Sequence, residues 1–165
     1  MNDAVILERS KRLANHAIWT VTLQYRRMRT NEPEDSKFML RWWADLQFFI
    51  LSLHRLRTAV KIALNVSDIT ISTRMAVAIE EFDKAIPDLK KLRDIGEHID
   101  AYAVDNPKRH RPEVNRRQLE VGSWNGTVYE WLGIKLNVDE ANTAAQKLFK
   151  TLLSAYRNFA RPEMK

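Results

Sequence analysis

Residues 35–65 read DSKFMLRWWADLQFFILSLHRLRTAVKIALN. Phe38, Trp42, Leu46, Phe49, Leu53, Leu56, Val60 and Leu64 recur three or four residues apart, so they share one face of a helix. Asp35 or Ser36 can accept hydrogen bonds from the first free N–H groups. Thirty residues at 1.5 Å each give a helix roughly 45 Å long. Upstream, Ile6, Leu13, Ala17, Val21 and Met28 mark a second long helix, ending near Thr30 before Asn31-Glu32-Pro33. Two such helices joined by a short connection predict an antiparallel hairpin.

Working downstream, a turn at Val66–Thr70 leads to a third helix with Met75, Ile79, Phe82 and Ile86. Pro87 suits the first turn of a fourth helix, whose apolar side is Leu89, Leu92, Ile95, Ile99 and Tyr102. Residues 105–117 are polar, contain Pro107 and Pro112, and predict a loop. Asn125-Gly126, flanked by Val, Trp and Tyr, predicts a β-hairpin over about 118–132, with a type I′ turn and Gly133 as its end. Asn137 and Glu140 resemble a capping box opening a last helix with Ala141, Ala145, Leu148, Leu152, Tyr156 and Phe159 inward. The expected fold is mainly α: a bundle of about five helices, with a small β-hairpin before the last, in one domain over 1–165.

Composition agrees with a globular chain. Of 165 residues, 45% are hydrophobic and 29% charged, which argues against disorder. Only four glycines occur, none before Gly96, and that favours long helices. The absence of cysteine excludes disulfides, thiolate nucleophiles and Cys-ligated metals, and fits a cytoplasmic protein. No apolar run reaches the 18 or so residues of a membrane span, and no signal peptide or membrane partner is expected. The charge of +6 makes a polyanion partner reasonable. His16, His54, His98 and His110 are scattered, so neither a metal site nor a cofactor is predicted. Glycine-rich phosphate loops and serine-hydrolase elbows are missing from the chain.

One segment carries chemistry: Arg93-Asp94-Ile95-Gly96-Glu97-His98 on the fourth helix. It resembles the Arg-x4–6-His signature of the HEPN superfamily (higher eukaryotes and prokaryotes nucleotide-binding), in which a polar residue such as Asp follows the Arg. The helical setting is also similar. The resemblance implies a metal-independent endoribonuclease or RNA-binding protein, a toxin or defence factor, working as a homodimer with an inhibitory protein partner. On that reading His98 is the acid/base, because imidazole titrates near neutrality. Arg93 binds the charged phosphoryl transition state, and Asp94 orients the histidine.

The same residues admit a plainer reading. Arg93 can pair with Glu97 and His98 with Asp94, each four residues on. A regular helix sets Arg93 and His98 about 140° apart, so one helix aims both at one phosphate only if it bends or a second copy completes the site. Gly96 permits close approach of another backbone, which a dimer interface would exploit. Lys108, Arg109, Arg111, Arg116 and Arg117 form the densest basic stretch, either a nucleic-acid contact or a solvated loop, the latter slightly preferred. Trp124, Tyr129 and Trp131 either stack on bases or pack the hairpin onto the bundle; packing is the preferred reading. His54-Arg55-Leu56-Arg57 either adds charge to a groove or forms a solvated face, the latter preferred. The alternative function is a non-catalytic helical protein-interaction module, regulatory or scaffold in character.

Overall fold

The structure is a computed structural model that describes residues 2–30, 40–103 and 121–160. It is mainly helical, with a small antiparallel sheet before the last helix. Helix α1 spans Asp3–Arg29 and α2 spans Arg41–Lys61, running on as a 3-10 turn at Ile62–Asn65. The Asp35 or Ser36 cap expected for α2 lies outside the described residues. The Asn2 side chain caps α1 by accepting the Ala4 N–H at 2.9 Å. Arg26, Arg27 and Arg29 fill the last turn, where cations meet the negative helix end.

The two long helices pack antiparallel, as their cross-contacts require. The Ser10 hydroxyl donates to the Ala59 carbonyl at 2.9 Å, and Arg27 Nε to the buried Asp45 carboxylate at 2.8 Å, so chain directions oppose. Helix α3, Ile69–Ala85, is capped by Asp68, which accepts the Thr70 and Ile71 N–H groups at 2.8 and 3.1 Å. Helix α4 spans Leu89–Glu97 and α5 spans Ile99–Ala103. The single helix expected from Leu89 to Tyr102 therefore breaks at His98, where φ is −126° and ψ is 36°. Gly96, a poor helix former, stands two residues before the break. Pro87 lies in the α3–α4 turn, ahead of the first helical residue.

The sheet corrects the two-stranded expectation. Strands β1 (Ser123–Trp124), β2 (Val128–Trp131) and β3 (Ile134–Asn137) pair antiparallel in that order. The turn chemistry is redistributed. At Asn125-Gly126 only Gly126 has positive φ, +94°, while the Asn125 side chain accepts the Thr127 and Val128 N–H groups at 3.0 and 2.8 Å. The pair of positive-φ residues expected of a type I′ turn is instead Leu132 (φ 54°) and Gly133 (φ 77°), which join β2 to β3. Gly133 thus links two strands rather than ending the sheet. A left-handed leucine is strained, and its full burial in the core holds it there.

Helix α6, Val138–Ala160, starts directly from β3, and Asn137 accepts the Asp139 and Glu140 N–H groups at 3.0 and 3.2 Å. It lies against α1 and α3, with Ala141, Ala145, Leu148 and Leu152 inward as expected; Tyr156 and Phe159 sit at the core margin. Buried residues from all six helices and the sheet form one continuous core. Trp42 and Trp43, both partly buried, pack against it. Tyr129 and Trp131 are fully buried and Trp124 partly so, which fits packing rather than base stacking. No described helix is long and apolar enough to cross a membrane.

Candidate functional site at the end of the fourth helix

Leu92 and Ile95 bury one side of α4, and this fixes where the polar residues of the motif point. Arg93 keeps 22% of its side chain exposed and pairs with Glu97, which is 45% exposed. Its Nε is buried with no acceptor, so Glu97 satisfies only part of the guanidinium. His98, 37% exposed, holds Nε2 3.9 Å from an Asp94 oxygen, while the buried Tyr102 hydroxyl donates to the other at 3.4 Å. Asp94 thus stands between the motif histidine and a core tyrosine. Each motif side chain has the neighbour that four-residue spacing predicts.

Gly96 is exposed. A Cβ there would lie 3.1 Å from Gln47 Oε1 on α2 and 4.0 Å from the Trp131 ring on β2. The neighbour a side chain here would meet first is therefore the Gln47 amide of α2, with the Trp131 ring at the edge of contact. Gln47 in turn donates to the Tyr129 hydroxyl at 3.3 Å. Burial pushes the Tyr129 phenol well above its usual range, so it stays neutral.

Arg93 faces α2, where it joins a cluster that sequence spacing alone does not reveal. Half-buried His54 is surrounded by the charges of Arg93, Glu97, Arg57 and Lys90. Its pKa lies below the ordinary 6.5, first because burial disfavours the cation, then because Arg93 repels it. The unfolded chain binds this proton more readily. Stability is therefore complete above about 6.5 and falls as pH drops through the window beneath it. His54→Gln should remove that component: urea midpoints of wild type should fall more than those of the variant between pH 7.5 and 5.5. Parallel decline would sink the assignment.

Next to His54, Arg57 donates from Nε and Nη2 to the two Asp83 oxygens, both at 2.6 Å, tying α2 to α3. Of the run His54-Arg55-Leu56-Arg57, Arg55 is exposed, Leu56 is buried, and His54 and Arg57 are partly buried. Lys108, Arg109, Arg111, Arg116 and Arg117 lie outside the described residues. Among the described residues, no three His, Asp or Glu side chains gather as metal ligands would. No protein-family model, curated protein or solved structure matches the chain.

Proposed function

We propose that the chain is a HEPN-like, metal-independent RNA-binding protein or endoribonuclease, with Arg93, Asp94 and His98 at its site. The observation that carries this reading is the break of α4 at His98. It frees the histidine from regular helical geometry while Asp94 stays close enough to orient it. The Arg93–Glu97 pair is a surface ion pair, worth a few tenths of a kcal/mol, so a phosphate can replace the carboxylate at little cost.

The chemistry these side chains suit is attack of a ribose 2′ oxygen on the adjacent phosphorus. His98 takes the 2′-OH proton, and Arg93 holds the phosphoryl oxygens as negative charge gathers on them. The P–O5′ bond breaks and the 5′ oxygen leaves protonated. In a two-fold homodimer a second His98 supplies that proton. The products are a 2′,3′-cyclic phosphate and a 5′-hydroxyl. Purified protein incubated with mixed RNA in chelator should yield cyclic-phosphate ends. His98→Ala should slow that cleavage by about 10²-fold or more. Cleavage unchanged in the variant, or no cleavage and no RNA binding by wild type, would overturn the reading.

A second reading is a non-catalytic interaction module. It is favoured by the carboxylate partners that already occupy Arg93 and His98, and by the exposed Leu13, Trp19, Leu23 and Phe48 on α1 and α2. It expects Arg93→Ala and His98→Ala to leave function intact.

A further inference from the structure

We propose that the groove between α2 and the α3–α4 corner is a phosphodiester-binding site that seats a single RNA strand leading to the motif. The inference rests on the RNA reading above and names where the strand lies. The groove has a volume of about 560 Å³ and is lined by His54, Arg57, Thr58, Lys61, Asp83 and Lys90, with Ile86 and Leu89 beneath them.

Two basic rows face one another across it. On α2, His54, Arg57 and Lys61 are spaced three and four residues apart and share a face; on α4, Lys90 and Arg93 do the same. Lys90, at the edge of the groove, stands one turn before Arg93 on the same helix.

The charge balance is uneven. Among the described residues Asp83 is the one carboxylate lining the groove; it balances Arg57, and Glu97 balances Arg93 beside it, which leaves Lys61 and Lys90 as the uncompensated cations. Lys61 and Lys90 are exposed and form no ion pair with any described residue. Lys61 on α2 and Lys90 on α4 keep their charge uncompensated on either side of the groove, and an anion running between them meets both. A chain of phosphates fits this better than a single small anion, because the cations are strung along two helix faces.

The test uses the full chain and a fluorescein-labelled single-stranded 12-nucleotide RNA, read by anisotropy over a salt series. Lys61→Gln combined with Lys90→Gln should weaken binding about tenfold at low salt. It should also flatten the slope of log K against log salt by about one to one and a half. Both lysines are exposed, so a melting curve matching wild type confirms that the fold is kept. Lys135→Gln with Lys150→Gln, exposed lysines on β3 and α6, is the control and should leave binding near wild type. Equal losses in both pairs, or no binding by wild type, would overturn the groove. So would RNA cleavage with unchanged binding in the Lys61/Lys90 variant, while sparing the nuclease reading. Groove-dependent binding with no cleavage would support the groove and remove the nuclease. Preference for an acidic peptide over RNA would overturn the strand assignment.

Discussion

Trp131→Ala is expected to lower the unfolding free energy by about 3–5 kcal/mol, the largest stability loss foreseen for any single side chain of the sheet. Trp131 is fully buried, and its ring stands edge-on to Trp43 of α2, with centroids 5.7 Å apart and planes at 74°. It also lies 6.4 Å from the Tyr129 ring and close to Gly96 of α4. One side chain thus joins the sheet, the second helix and the motif helix. Its truncation leaves a hole that three elements cannot close together, which places the cost at the upper end for an aromatic. Urea denaturation measures the loss. Amide exchange should rise at Leu92, Ile95 and their neighbours in α4, because these residues share one core with the ring. A loss below about 1 kcal/mol would mean that the sheet does not support the site.

Gly122→Ala should cost about 3 kcal/mol, for a different reason: there is no room for a methyl group. A Cβ at this position would collide with the Glu130 carbonyl oxygen and sit 2.7 Å from the Tyr129 ring. The oxygen belongs to the backbone of β2, which pairs with Ser123 on one side and Lys135 on the other, so it cannot retreat. The expected outcome is a lower urea midpoint, with loss of the β1–β2 amide protection. A variant as stable as wild type would show that residue 122 has slack the geometry does not reveal.

The helices were legible because their apolar residues repeat at helical spacing. Phe49, Leu53, Leu56 and Val60 of α2 are buried as that spacing requires, and Asn137 caps the last helix as its type and place suggest. The break at His98 was missed because the apolar stripe continues through Tyr102; the one local mark is Gly96, two residues before it. In the sheet, Asn-Gly is a strong local signal, but Asn125 used its side chain rather than a left-handed backbone. Leu132 took that backbone, as no propensity for leucine would suggest, because burial outweighs it. The third strand was hidden by reading Gly133 as a stop, although Ile134, Lys135 and Leu136 alternate in, out and in. In the site, the Arg93–Glu97 and Asp94–His98 pairs follow from spacing alone. The meeting of His54 with Lys90 and Arg93 needs α2 and α4 to be packed together, and no local pattern encodes that.

Asn137 is the last residue of β3 and the cap of α6, with no linker between them. Strand and helix are therefore phased to each other like two gears on one shaft. One residue inserted after Asn137 would turn α6 by about 100° and carry it about 1.5 Å along its axis. That would swing Ala141, Ala145 and Leu148 away from the core that buries them. A one-residue slip of β3 against β2 would impose the same mismatch from the other side, since it exchanges the two faces of the strand. The rotation of the longest C-terminal element is thus set by the four-residue ladder that precedes it.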